Sequence, residues 1–269
     1  MRKLILFLVV FPYFILAQEK SKLIFGINAG TYLGNKNTAS LYAGNVTSYG
    51  VSSILNNINF RPSFVQFFQY PFEISSFPSN IKYNPGTEIG IHIGKEKEKS
   101  KIYVDINFAE LKVQDVVVLE VDNPNNQSTE PDYVPISLIG KEKRNMINIG
   151  VQKNIFKEDN FSLYVPIFFQ LINVELKENY VVIDRPYPIV HNSTNSSGQS
   201  QNPQGYGIGF GSGFVLNYFI NKDISFDLGY HGQFSQTNFY EDLKPWGMQN
   251  SIFVRLVING TDYLKKMMN

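Results

Sequence analysis

The stretch Gly207-Ile208-Gly209-Phe210-Gly211-Ser212-Gly213-Phe214 decides the fold. Glycine occupies every second position, and Leu216, Tyr218 and Ile220 continue the bulky apolar face beyond it. A period of two is typical of a β-strand, whose successive side chains point to opposite faces. A membrane barrel turns its bulky residues towards lipid and its small or polar residues towards a narrow interior, the reverse of a water-soluble sheet. The stretch therefore predicts one strand of a transmembrane barrel.

Seven further segments alternate between bulky apolar residues and small or polar ones. The eight predicted strands are Lys22–Gly34, Thr87–Lys95, a segment starting at Lys101, Arg144–Ile155, a segment starting at Phe161, Tyr206–Ile220, Ile224–Tyr240 and Gln249–Asn259. Short polar turns follow the second, fourth and sixth strands, and longer connections follow most of the others. This order predicts an all-β fold, an eight-stranded antiparallel up-and-down transmembrane β-barrel with long outer loops, short periplasmic turns and both termini in the periplasm.

A secreted soluble barrel or sandwich is the alternative fold. It would place the isoleucine-rich faces in a core and the Gly, Asn and Asp faces in water. The glycine-rich sixth strand disfavours this alternative, because glycine weakens a strand and packs against nothing. Inside a narrow barrel the same glycines leave room for the side chains of neighbouring strands.

The N-terminus has the features of a cleaved signal peptide over residues 1–17. Arg2 and Lys3 are followed by the apolar run Leu4–Leu16 and by Ala17, a small residue suited to cleavage. The expected mature chain, 18–269, is a single outer-membrane barrel domain. Cleavage changes the formal charge from +1 to about −1, which gives no electrostatic reason to expect a nucleic-acid partner. The chain has no cysteine, so a disulfide framework and thiolate metal sites are excluded.

The pattern over Lys22–Asn259 resembles the small OmpA- and OmpX-like outer-membrane barrels, in the form common in Bacteroidetes. The resemblance rests on strand number, alternation and turn order. It implies a cell outer-membrane protein, and it makes the type IX secretion and gliding apparatus, or a related assembly complex, a candidate setting. One fold hosts many functions, so the assignment to this apparatus rests on an analogy of fold alone.

Charged and polar residues recur on the predicted inward faces. They are Glu88, His92, Asp105, Asn217, Asp227, His231 and Arg255. Carboxylates near histidines are compatible with catalysis or metal binding, but eight strands leave an interior just wide enough for side chains, where charges must be paired. We therefore predict a structural network with no catalytic, cofactor or metal site. Symmetric turns would place His92 opposite Asp105, Asn217 opposite Asp227 and His231 opposite Arg255.

The first outer loop, residues 35–86, is unusually long and is expected to be partly ordered. Its candidate partner surface consists of Phe60, Phe64, Phe67, Phe68, Tyr70 and Phe72. Exposed aromatic clusters are typical of binding sites, yet the same residues could form a cap packed on its own aromatics over the barrel mouth. Both interpretations stay open. In the next loop, Val116–Val121 and Tyr133–Ile139 predict a hairpin raised beyond the membrane, which Val174–Asp184 could extend.

The leading functional hypothesis is a non-enzymatic barrel that binds another outer-membrane or surface protein, as an accessory subunit of a secretion, gliding or assembly complex. The alternative is a stand-alone structural or adhesin-like surface barrel. An outer-membrane enzyme is the least favoured, because the outer rim shows no Ser/His/Asp cluster. The expected partners are outer-membrane lipid and another protein, with no cofactor.

Overall fold

The computed structural model describes residues 21–43, 50–189, 193–194, 200–201, 203–238 and 246–260. The expected signal peptide lies outside the described residues. The strands are β1 (Lys22–Leu33), β2 (Phe72–Ser76), β3 (Asn84–Glu96), β4 (Ser100–Val121), β5 (Asp132–Lys157), β6 (Phe161–Val182), β7 (Pro186–Pro188), β8 (Ser193–Thr194), β9 (Ser200–Gln201), β10 (Gln204–Phe219), β11 (Ile224–Asn238) and β12 (Trp246–Asn259). The α-helices are α1 (Lys36–Ala39), α2 (Val51–Leu55) and α3 (Arg61–Phe68), with a 3-10 turn at Ser40–Ala43.

Eight of these strands close into a ring. Their order is β10, β11, β12, β1, β3, β4, β5 and β6, and pairing of β6 with β10 completes the circle. Every pair in the ring is antiparallel. The predicted eight-stranded antiparallel barrel is confirmed. We call the end of the barrel with the long connections its upper end.

The two faces of the ring are inverted relative to a soluble protein. Bulky apolar side chains point outward from all eight strands and remain exposed, as Ile27 (70 %) and Ile167 (65 %) do. The outward-alternating run from Phe161 to Leu171 has the length of about 9–11 residues that a tilted transmembrane strand needs. We call this exposed surface the apolar belt. No helix in the described part of the chain is long and apolar enough to cross a membrane.

Strands β4, β5 and β6 extend beyond the upper edge of the belt. They contain 22, 26 and 22 residues, and their upper parts pair continuously from Glu110 to Val121 on β4. Short strands β2 and β7 flank them. These five upper segments form the raised sheet, which confirms the predicted raised hairpin and its extension by the fifth predicted strand.

The rest of the first loop folds against one face of the raised sheet. We call residues 36–43 and 50–83, which contain the three helices and β2, the cap. Apolar side chains of the cap, among them Leu55, Phe64 and Phe72, join Leu119 and Leu138 of the raised sheet in one buried cluster. The main hydrophobic core of the described chain therefore lies above the barrel ring.

Candidate functional site

The seven residues of the predicted interior network all lie inside the barrel and are buried. Asp105 is at the centre: its Oδ1 lies 2.5 Å from His92 Nδ1, and its Oδ2 accepts a hydrogen bond from Arg255 Nη2 at 3.0 Å. A second carboxylate oxygen, Oδ2 of Asp227, lies 3.5 Å from Arg255 Nη1. Asn217 Nδ2 donates to the other oxygen of Asp227 at 2.5 Å. The charges of Asp105, Asp227 and Arg255 are thus arranged in opposite-sign contacts.

Two of the three predicted cross-strand pairs are confirmed, and one is wrong. His92 pairs with Asp105 and Asn217 pairs with Asp227. His231, however, lies opposite Ser251, and Arg255 lies opposite Asp227. The physical reason is that β11 and β12 pair about a centre two residues before Leu243, on which the predicted turn is centred, and this shifts the register of the last pair by four residues.

The remaining two network residues, His231 and Glu88, contact aromatic rings and a hydroxyl group. His231 is held between the rings of Phe168 and Phe253, with centroids 4.9 and 4.7 Å away. Glu88 accepts a hydrogen bond from the Ser251 hydroxyl. Within the described residues, no group of three or more His, Asp or Glu side chains is placed to hold a metal ion. This arrangement can neutralise charge and fill the interior.

A second buried network joins the cap to the upper end of the barrel. Arg144 Nε donates to Glu142 Oε1 at 2.6 Å, and both side chains are fully buried. The same guanidinium donates to Gln249 and, at 3.1 Å, to Thr38 of the cap. Its charge therefore connects β5 both to β12 and to the cap.

Two cap tyrosines complete this second network. The hydroxyls of Tyr42 and Tyr83 donate to Glu142 Oε2 at 3.1 and 3.0 Å. Burial, followed by the negative charge of Glu142, raises the pKa of both phenols well above their ordinary value. The alternation pattern did not predict this network, because the predicted strand begins at Arg144. The i, i+2 spacing of Glu142 and Arg144 is the sequence feature that indicates it.

The structure divides the candidate aromatic surface into buried and exposed parts. Phe64 and Phe72 are inside the cap core, where the Phe64 ring lies 5.0 Å from that of Tyr187. Phe60, Phe68 and Tyr70 are half-buried, and Phe67 is 52 % exposed. A partner cannot contact Phe64 or Phe72 while the cap is folded. These two residues therefore form part of the cap core, and their positions do not support a docking role for them.

The outer face of the raised sheet, opposite the cap, carries two distinct zones. Next to the apolar belt lies the charged row, which consists of Glu110, Lys112, Lys141, Lys143, Glu175, Lys177 and Glu178 on three adjacent strands. Above it lies the outer patch, which consists of Val116, Val118, Tyr133, Pro135 and Ile139. These five residues alternate with side chains buried under the cap, and Tyr133 is 53 % exposed. The charged row therefore separates two apolar surfaces.

Both free edges of the raised sheet are obstructed. At one edge, β7 carries Pro186 and Pro188, which have no backbone N–H to donate to another strand. At the other edge β2 is only five residues long, and Arg61 Nη2 donates to the Phe72 carbonyl at 3.1 Å. Short edges and prolines are common means of preventing strand addition. Among the parts of the chain that the structure describes, nothing covers the outer face of the raised sheet.

No protein-family model and no curated protein sequence matches the chain. Among solved structures it is similar to Neisserial surface protein A at 8 % identity and TM-score 0.42, with 90 % of this chain and 99 % of that chain covered. It is similar to the attachment invasion locus protein Ail of Yersinia pestis, in complex with the heparin analogue sucrose octasulfate, at 9 % identity and TM-score 0.36, with 89 % and 97 % covered. The outer membrane protease OmpT of Escherichia coli follows at 7 % identity and TM-score 0.30, with 66 % and 63 % covered. The likeness at these identities and TM-scores extends to architecture and to nothing beyond it.

Proposed function

We propose that this chain is a non-enzymatic outer-membrane barrel that binds another protein through the outer patch of its raised sheet. In this proposal it is an accessory subunit of a secretion, gliding or assembly complex of the outer membrane. Its upper end faces the cell exterior and both termini face the periplasm. The single observation that carries the proposal is the position of the outer patch, which lies above the apolar belt and apart from it.

The charged row makes lipid an unsuitable cover for the outer patch. A bilayer that reached Val116 or Ile139 would have to take the four lysines and three glutamates of the charged row into its apolar part. A charged side chain on the lipid face of a barrel costs about 2–4 kcal/mol at the bilayer midplane and less near the bilayer surface. The apolar side chains of the outer patch are therefore left for water or for a protein. Ser137 lies opposite Val116 and Gln114 lies opposite Ile139, so polar residues are interspersed in the outer patch. Clusters of exposed apolar side chains are typical of protein interaction sites.

The cap supports the same proposal by its position. It covers the inner face of the raised sheet with a buried cluster that includes Phe64 and Leu119, so that face is already occupied. With the edges obstructed by Pro186, Pro188 and Arg61, the outer face is the part of the raised sheet that the described residues leave open for a partner. The exposed side chain of Tyr133 lies at one end of the outer patch. Such a residue suits a protein partner, because aromatic residues often supply much of the binding energy.

Introducing positive charge into the outer patch tests the proposal. We expect the double variant Val116→Lys and Ile139→Lys to lose the stoichiometric partner that co-purifies from native membranes in mild detergent, by tenfold or more, because buried unpaired charge opposes docking. Heat-modifiable migration on gels checks that the barrel still folds. The matched control is Ile58→Lys, which places the same charge at an 85 % exposed position on the cap.

A partner that stays bound to the double variant would contradict the proposal, as would equal loss in the Ile58→Lys control. A monomer without a partner in native membranes would favour the stand-alone surface barrel. That second candidate has one specific observation in its favour, which is the extensive packing of the cap against its own barrel through Tyr42, Tyr83 and Arg144.

The orientation is tested with single cysteines, because the natural chain has none. Gln127→Cys lies at the exposed tip of the raised sheet, and Glu158→Cys lies in the short turn between β5 and β6. We expect an impermeant thiol reagent to label Gln127→Cys on intact cells and to label Glu158→Cys only after the outer membrane is opened. The opposite labelling pattern would reverse the proposed topology.

A further inference from the structure

A groove crosses the outside of the barrel at the upper edge of the apolar belt, and we call it the rim groove. It has a volume of about 610 Å³ and is lined by residues of β5, β6, β10 and β11. Sites for small molecules usually have volumes of about 300–1,000 Å³. The strand pairing places its outward residues in two rows: Asn145, Asn173, Tyr206 and Asn238 lie side by side, and Ile147, Leu171, Ile208 and Gln236 lie side by side below them. The rim groove therefore has a polar upper row and a largely apolar lower row.

The rim groove lies at the boundary between the apolar belt and water. On β5 the outward positions run from Lys143 of the charged row, through Asn145, to Ile147 of the belt. Tyr206 is 67 % exposed, and Trp246 lies beside the groove, opposite Gln236. Tyrosine and tryptophan are enriched where a membrane meets water. The polar row is therefore placed beside lipid headgroups, and the apolar row beside their acyl chains.

The polar chemistry of the rim groove is uncharged. Of the ten described residues that line it, none carries a charge, and four are asparagine or glutamine. Gln236 Nε2 donates to Asn238 Oδ1 at 2.8 Å, which leaves Gln236 Oε1 able to accept and Asn238 Nδ2 able to donate. Directly above the groove, Lys143 and Glu175 lie opposite each other with charges of opposite sign. A hydroxyl group both donates and accepts, so it suits this set of amides better than a group that only accepts.

We propose that the rim groove binds one membrane lipid whose headgroup is an uncharged sugar. The sugar hydroxyls contact Gln236 and Asn238, and the sugar ring lies against Tyr206. An acyl chain lies along Leu171 and Ile208. Continuity of the lower row with the apolar belt makes the ligand a lipid rather than a free sugar. The proposal does not depend on a protein partner, and it holds only if the belt is embedded in lipid.

Lipid titration tests the proposal on the full mature chain. The purified barrel, in an oligooxyethylene detergent that carries no sugar, is titrated with glucosyl diacylglycerol and with phosphatidylcholine of the same acyl chains. Binding is followed by native mass spectrometry. We expect the glucosyl lipid to bind about tenfold more tightly, which is the effect of one or two neutral hydrogen bonds, because phosphatidylcholine has no donor to offer the amides.

Gln236→Leu tests the polar row, because it removes an amide and keeps a side chain of similar size. This change should lower the preference for the glucosyl lipid about fivefold, as expected for one neutral hydrogen bond, without weakening the binding of phosphatidylcholine. The matched control is Gln127→Leu, the same change at the exposed tip of the raised sheet, which should keep the wild-type preference. Heat-modifiable migration checks that both variants fold.

Equal affinity of the wild-type chain for the two lipids, or equal loss of preference in the two variants, would overturn the proposal. Phosphatidylglycerol of the same acyl chains is the second arm: if it bound more tightly than the glucosyl lipid, charge would govern the site and the uncharged headgroup would be wrong. Methyl glucoside is the third arm. If it displaced the lipid at micromolar concentration, the groove would recognise free sugar, and the lipid assignment would be wrong.

Discussion

The lower and upper halves of strand β4 follow opposite rules. In the lower half, Asp105 points inward and is buried, while Ile106 points outward into the apolar belt. In the upper half, Leu111 is the buried inward residue and Lys112 is exposed. The strand does not change its geometry between these positions. What changes is the surroundings on each side, which are lipid and a polar interior below, and water and the cap above.

This difference teaches that the position of the solvent boundary can be found along a single strand. Lipid requires apolar residues outside and tolerates paired charges inside, whereas water requires the reverse. The exchange occurs between Phe108 and Glu110 on β4, and between Ile147 and Asn145 on β5. The charged row marks the same boundary from outside. The two halves should therefore respond differently to the same kind of substitution.

The largest expected effect is on the interior charges of the lower half. Asp105→Ala removes the carboxylate that both His92 and Arg255 contact, and leaves Arg255 with Asp227 alone, at 3.5 Å. Loss of one partner from a buried ion pair costs about 3–5 kcal/mol. We expect this loss in the free energy of unfolding, measured by urea titration in lipid vesicles.

The control for that measurement is Asp115→Ala in the upper half of the same strand. Asp115 is half-buried, and its carboxylate accepts a hydrogen bond from the Val116 backbone N–H. We expect a change of about 0.5 kcal/mol or less, as for most surface positions. Equal effects at Asp105 and Asp115 would mean that the interior contacts contribute nothing specific to the barrel.

The next effect concerns the apolar core of the upper half. Phe64→Ala should lower the free energy with which the cap packs on the raised sheet by about 3 kcal/mol, because Phe64 is fully buried against Tyr187 and Phe72. Phe67→Ala, at an exposed position of the same helix, should cost less than about 1 kcal/mol. Hydrogen exchange of residues 50–83 measures the cap, and heat-modifiable migration measures the barrel. A barrel that unfolds together with the cap would contradict the separation of the two halves.

The sequence predicted the lower half better than the upper half. Alternation reports directly on a ring with lipid outside, so strand number, closure and two cross-strand pairs followed from it. The glycines of β10 illustrate the reason. A side chain at Gly213 would place its Cβ 1.9 Å from the Tyr230 carbonyl oxygen, so the interior itself requires a missing side chain there.

The upper half could not be predicted to the same extent, because its contacts join segments far apart in sequence. Nothing local to Phe64 indicates that Tyr187 lies beside it, or that Tyr42 reaches Glu142 one hundred residues away. The predicted register of Arg255 was wrong for a related reason. The connection that sets it, residues 239–245, has no alternation from which to place the start of β12.

The inward and outward faces of the lower half should also respond differently when a glycine is replaced by alanine. Gly213→Ala should cost about 1–3 kcal/mol, since its new methyl group would overlap backbone atoms that cannot move independently. Gly232→Ala is the matched change on the outward face, where the nearest atom would be the Tyr230 hydroxyl oxygen at 3.3 Å. We expect it to be nearly neutral by the same urea titration. A costly Gly232→Ala would indicate that the outward face is packed rather than covered by lipid.

The smallest expected effect is a pH dependence restricted to the upper half. Burial, and then the charge of Glu142, raises the pKa of Tyr42 and of Tyr83, whereas an unfolded cap would return both phenols to the ordinary value of about 10. Above that pH the detached cap loses protons that the docked cap retains. The stabilisation is therefore complete below about pH 10 and is lost as the pH rises further.

We expect the cap to open at alkaline pH while the barrel stays folded. Tyrosinate absorbance measures the ionisation of the phenols, and the reactivity of the thiol in a Leu55→Cys variant measures the opening of the cap. Leu55 is fully buried in the cap core, so its substituted thiol reacts only when the cap opens. The double variant Tyr42→Phe and Tyr83→Phe should flatten the pH dependence, because it removes both phenols that face Glu142. Tyr133→Phe, which removes an exposed phenol from the outer patch, is the control and should leave the profile unchanged. A cap that opens at the same pH in the double variant and in the wild-type chain would show that another group controls the transition.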